Sequence, residues 1–138
     1  MSAPGFEDDL WEAFRDGFFP AHLGIELVGW EEGAVRLHLP AKPHLMQNYG
    51  VVQGGALATL ADVGMAWATL SVVHPSMCPT ITLNMTYLAP VREAAVDCEA
   101  RVVRAGRSVA ATEATITTEE GVVAATAVGT FLVRPRSG

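Results

Sequence analysis

GGALATLADVGMAWATLSVV, residues 54–73, is the stretch on which the fold turns. It reads as one long helix, apolar almost all round, and such a helix is buried on most faces. It is crowded with small residues: Gly54, Gly55, Ala56, Ala58, Ala61, Gly64, Ala66 and Ala68. Small side chains let other backbone approach closely, as a sheet wrapped around this helix would require. The run is nearly long enough to span a bilayer, but Asp62 falls near its middle, where a carboxylate is costly. A core helix of a water-soluble protein, with no membrane partner, is the expectation.

Outward from that helix the chain resolves into an α+β pattern. Residues 6–18 form an amphipathic N-terminal helix, with Phe6, Leu10, Trp11, Phe14 and Phe18 near one face, and Pro20 breaks it. Residues 25–30 and 34–39 read as two strands joined at Glu31-Glu32-Gly33. In the second, Val35, Leu37 and Leu39 alternate with Arg36 and His38, so His38 is expected to face solvent. Residues 40–53 form a loop. After Pro79, residues 80–88, 94–104, 108–118 and 122–133 read as four strands with short turns, an antiparallel meander. The expected architecture is one domain over residues 1–138: a short N-terminal helical segment (1–20) and a long central helix wrapped by a five- to six-stranded antiparallel sheet.

Composition bounds the function. At 138 residues, 50% hydrophobic and 17% charged, the chain has ample core and is not disordered. Its net charge of −6 weighs against nucleic acid. The first 32 residues hold eight acids and one base, Arg15, whereas Arg92, Arg101, Arg104, Arg107, Arg134 and Arg136 cluster late. Cys78 and Cys98 make neither a CxxC nor a metal-binding spacing, so no metal site and a reducing, cytoplasmic setting are expected. The acidic N-terminus has no signal-peptide pattern.

Between Glu32 and Glu93 the chain carries one acidic residue, Asp62, with no Lys, Arg or His within seven positions. A buried, unpartnered carboxylate is expensive, which makes Asp62 a candidate reactive group. A structural aspartate bonded to backbone or a neighbouring threonine, or one facing solvent, fits the same pattern. The preceding residues favour chemistry. In QNYGVVQGGALATLAD, residues 47–62, a glycine pair opens the helix, and a helix N-terminus offers unpaired N–H groups and partial positive charge. Those donors can polarise a carbonyl. Eight residues of helix rise about 12 Å, too far for Gly54 and Asp62 of one chain to meet on one carbonyl. A composite site, and so at least a dimer, follows.

The ordered segments HLGIELVGWEEGAVRLHLP, NYGVVQGGALATLAD, ITLNMTYLAPV, VVRAGRSVA and GVVAATAVGTFLV resemble the hotdog-fold acyl-CoA thioesterases, phenylacetyl-CoA thioesterase-like subgroup. The resemblance spans nearly the whole chain. It implies hydrolysis of an aryl-, phenylacetyl- or medium-chain acyl-CoA, in a homodimer or dimer of dimers, with no cofactor beyond the coenzyme A of the substrate. By the same resemblance Asp62 is the nucleophile or general base, and the Gly54 N–H, beside Gly55, polarises the carbonyl. Gln47 or its neighbour Asn48 assists there, and Thr80 orients the attacking water. The turn Arg104-Ala105-Gly106-Arg107-Ser108 is implied to contact the coenzyme A nucleotide. Gln53 stands where the family commonly has a His, as a positioning residue, and Val63 follows the acid where a polar residue is common. An acyl pocket would draw on Met46, Tyr49, Met65, Trp67 and Leu88, all equally readable as core. Two other readings remain: an acyl-CoA-binding module without turnover, and a hotdog dehydratase or hydratase, which would need a His such as His44 paired with the carboxylate.

Overall fold

The computed structural model describes residues 5–135. Three α-helices, α1 (Phe6–Ala13), α2 (Phe19–Leu23) and α3 (Gly54–Val73), accompany six strands: β1 (Glu26–Glu31), β2 (Ala34–Leu39), β3 (Thr80–Tyr87), β4 (Val96–Ala105), β5 (Val109–Thr118) and β6 (Val123–Leu132). The strands form one antiparallel sheet in the order β1-β2-β4-β5-β6-β3, and α3 packs on it, chiefly against β4 and β2.

Two expectations are corrected. The N-terminal helix stops at Ala13, and Pro20 does not break it; Pro20 lies in the first turn of α2, where its missing N–H costs nothing. The last four strands are also not one meander. β4, β5 and β6 follow one another, but β3 crosses over to the far side of β6, with Thr80 opposite Phe131 and Tyr87 opposite Ala125. β3 and β1 are therefore the sheet edges.

The core lies between α3 and the sheet: Leu57, Leu60, Met65 and Ala68 meet Leu37, Leu39, Ile116 and Phe131. Gly64 permits the close approach. A Cβ there would sit 3.1 Å from the Ala100 Cβ and 3.5 Å from the Cys98 Sγ. Ser71 ties the helix to the β1–β2 turn by accepting from the Gly33 N–H at 2.7 Å. By length and composition α3 is apolar enough to cross a membrane, yet its sheet-facing side is fully packed. The other side is less buried than expected. Thr59, Asp62, Val63, Ala66 and Leu70 are half-buried, because the sheet covers only one flank of the helix. Helix α1 closes the other end. Phe6, fully buried, sets its ring edge-on to Trp30 at 4.8 Å and to His74 at 5.5 Å, and His74 Nε2 lies 2.9 Å from Asp9 Oδ2.

Candidate active site

The expected site residues fall into two groups at opposite ends of β3. The first group surrounds Asp62. Its side chain leaves the half-buried flank of α3 and accepts a 2.8 Å hydrogen bond from Thr80 Oγ1, at the first residue of β3. The expected buried, unpartnered carboxylate is thus half-buried and partnered. Thr80, expected to orient a water, holds the carboxylate directly. Having donated its proton, the hydroxyl still has lone pairs that can accept from a water. Cys78 lies beside this pair, half-buried, with Sγ donating to the Ala66 carbonyl at 3.4 Å. Burial first, and then the Asp62 charge, push its thiol up to about 12. A thiol so raised is a poor nucleophile.

Arg104, Gly106, Arg107 and Ser108 share that end of the sheet. The β4–β5 turn is tight: the Gly106 N–H donates to the Val109 carbonyl at 2.9 Å, and a Cβ on Gly106 would lie 3.0 Å from the same oxygen. The Ser108 carbonyl accepts from the Val133 N–H, and the Pro79 carbonyl from the Leu132 N–H, so this turn and the start of β3 flank the end of β6. Arg104 and Arg107 are exposed.

The second group sits at the start of α3. Gln53 is its N-cap residue and its side chain makes no cap bond. Its carbonyl accepts from the Ala56 and Leu57 N–H groups, while among the described residues the Gly54 and Gly55 N–H groups have no acceptor. The space over Gly55 is open, with nothing within 4 Å of a Cβ built there. Gln47 and Asn48 lie on the neighbouring loop, closed by the Met46–Val52 bridge and a turn from Gln47 to Gly50. The Gln47 side-chain oxygen is taken by the Tyr49 N–H, which leaves its NH2 as the free, donating end. Asn48 is exposed at the turn tip.

Gln53 is exposed and makes no side-chain bond among the described residues, so nothing there gives it the positioning role of the family's histidine. Of the residues read as possible acyl-pocket lining, Met65 is fully buried core, Trp67 packs 5.9 Å from Phe6, and Tyr49 and Leu88 are exposed. Sequence reading missed Tyr87, whose Oη donates to the Gly54 carbonyl at 2.7 Å. Nothing local to residue 87 announces a partner 33 positions away.

Residues 49–125 match the Thioesterase superfamily. The chain is 31% identical over 102 residues to the proofreading thioesterase EntH of Klebsiella pneumoniae, covering 73% of this chain and 74% of that protein. Among solved structures, smu.793 from Streptococcus mutans bound to acetyl CoA superposes with a TM-score of 0.78 at 22% identity, covering 83% of this chain and 92% of that one. A mutant of the phenylacetic acid degradation protein PaaI from Thermus thermophilus gives 0.77 at 24%, covering 83% and 97%. The chain belongs to the thioesterase superfamily, with the hotdog fold that the sequence resemblance implied. It is an enzyme of the thioester-hydrolase class.

Proposed function

We propose that this protein hydrolyses an acyl-CoA thioester, with Asp62 as nucleophile or general base and the Gly54 and Gly55 N–H groups polarising the carbonyl. The observation that carries the reading is the split site: an acid with its hydroxyl partner at one end of β3, and two free backbone donors at the other. Neither half suffices alone. About 12 Å of helix rise separates Gly54 from Asp62 within a chain.

An antiparallel pairing of β3 with β3 of a second copy closes that gap. The Thr80 end of one strand then lies beside the Tyr87 end of the other, so Asp62 of one chain faces the start of α3 of its partner. The two edges of the sheet support this choice. β1 carries Glu26 and Glu31 and a bulge between Leu27 and Gly29, devices that discourage edge pairing. β3, TITLNMTY, has no charge, and it exposes Ile81 and Tyr87.

In this dimer the thioester carbonyl docks on the Gly54 and Gly55 N–H groups, with the Gln47 NH2 as a further donor. Asp62 of the other chain either attacks the carbonyl carbon, expelling the thiolate and leaving an anhydride that water opens, or takes a proton from a water held by Thr80, which attacks the carbonyl carbon and expels the thiolate. Arg104 and Arg107, at the Asp62 end, would grip coenzyme A phosphates. That a coenzyme A thioester occupies the similar smu.793 fold supports this substrate class.

The deciding experiment is thiol release from a panel of aryl- and alkyl-CoA thioesters with wild type and Asp62→Asn. Turnover that collapses in the variant supports the reading. Equal rates in both remove Asp62 from the mechanism. Tight binding with no turnover by wild type makes the protein an acyl-CoA-binding module.

A further inference from the structure

We propose that Tyr87 is a positioning residue for the carbonyl-polarising donors at the start of α3, an assignment that rests on the thioesterase reading above. The first turn of a helix frays unless its ends are held, and Gln53 supplies no side-chain cap. Two hydroxyls hold the turn from its carbonyl side. Thr59 Oγ1 donates to the Gly55 carbonyl at 2.9 Å, the ordinary back-bond of a helical threonine one turn on. Tyr87 Oη donates to the Gly54 carbonyl at 2.7 Å from a different element, the last residue of β3.

The tyrosine fixes two things at once. Its ring lies over the place a side chain at Gly54 would take: a Cβ there would lie 3.1 Å from Cζ and 3.2 Å from Oη. A side chain at residue 54 would crowd the ring, and the ring in turn restrains a glycine, the residue type whose backbone is freest. The hydroxyl acts on the next peptide. The Gly54 carbonyl and the Gly55 N–H share one rigid plane. A donor on the carbonyl sets the tilt of that plane and polarises it, which makes the N–H on its other side a stronger donor. Tyr87 thus aims the Gly54 N–H through its ring and aims and strengthens the Gly55 N–H through its hydroxyl. Because Tyr87 closes the strand whose edge is proposed to pair, the same residue links donor geometry to assembly.

The test is Tyr87→Phe, which keeps the ring and removes the hydroxyl, assayed beside Asp62→Asn. Loss of one hydrogen bond that acts in the transition state lowers kcat about three- to tenfold and leaves KM within about twofold. A second readout follows the carbonyl itself. A ketone analogue, with a methylene between the acyl carbonyl and the sulfur of coenzyme A, binds without reacting. Its carbonyl stretch is displaced to low frequency in wild type and returns toward the free value in Tyr87→Phe. An unchanged kcat and an unchanged stretch in Tyr87→Phe, with Asp62→Asn inactive, overturn the assignment. If Asp62→Asn turns over like wild type, it is the reading of the site that fails. The stretch then decides on Tyr87 alone: a shift supports the assignment and no shift overturns it.

Discussion

Thr80 donates its hydroxyl proton to Asp62 across a 2.8 Å contact, joining the first residue of the edge strand β3 to the half-buried flank of α3. The bond fixes one carboxylate oxygen, Oδ1. Removing the hydroxyl while keeping the shape, as in Thr80→Val, should lower kcat about tenfold, the worth of one charge-assisted hydrogen bond. If Asp62 is the nucleophile or base, Asp62→Asn should lower it by about two to four orders of magnitude. Steady-state kinetics on one acyl-CoA for both variants checks the order. A Thr80→Val loss as large as that of Asp62→Asn would instead make the hydroxyl part of the chemistry.

Arg107 projects from the tight β4–β5 turn at the same end of the sheet as Asp62. If it grips a coenzyme A phosphate, Arg107→Ala raises KM for acyl-CoA about tenfold, the loss of a charge-assisted contact. The same variant should leave KM unchanged for the matching acyl-pantetheine thioester, which has no nucleotide. An equal rise for both substrates would reassign the effect to the turn's structure.

Parts of this site are legible in the chain and parts are not, for physical reasons. Asp62 stands out because it is the one acid in a long apolar run, and the start of α3 because a glycine pair precedes continuous helix-compatible residues. The strand order is hidden. Residues 80–87 alternate and end in a turn like the strands after them, and nothing in that pattern says that they pair with β6 and not β4. The half-exposure of Asp62 is hidden too, since composition reports how apolar α3 is and not how much of it one sheet can cover. Tyr87 escapes because its partner is a backbone carbonyl, and any residue type could have supplied one.

Gly64 and Gly55 lie on one helix in opposite surroundings. Alanine improves helix propensity at a helix interior by up to about 1 kcal/mol over glycine. Gly55 stands in the first turn, where only part of that gain applies, but nothing opposes it, and Gly55→Ala should raise stability by a few tenths of a kcal/mol. At residue 64 the new methyl meets the Ala100 Cβ at 3.1 Å, on a central strand that cannot yield, and overpacking costs about 1–3 kcal/mol. Gly64→Ala should therefore lower stability by about 1 kcal/mol. Urea midpoints for the two variants should move in opposite directions.

Both cysteines make the fold sensitive to alkali. Burial is the larger cause at each, with the Asp62 charge adding at Cys78 and the Glu99 charge at Cys98, and each thiol is raised from 9.0 to about 12. Above pH 9 the unfolded chain loses these protons and the folded chain keeps them, so the unfolded state is favoured. The stability they contribute is fully present below pH 9 and is lost as pH rises through about 12. Replacing both by Ala should flatten the fall of stability across that window, measured by denaturant titration at fixed ionic strength. A slope that matches wild type would show that other groups set the alkaline limit.

The two halves of the site stand at opposite ends of an uncharged edge strand, so assembly and activity should fail together. Asn84 is exposed near the middle of β3, where a two-fold axis through an antiparallel β3–β3 pair would pass. Asn84→Lys would set a like-charged pair close to that axis, and like charges placed opposite one another destabilise strand pairing. In sedimentation the variant should shift from dimer or larger toward monomer, with a near-native circular dichroism spectrum. Turnover should fall in proportion to the dimer lost and recover as protein concentration is raised. A folded monomer with wild-type kcat would show that one chain holds a complete site, and the composite arrangement of Asp62 and Gly54 would be wrong.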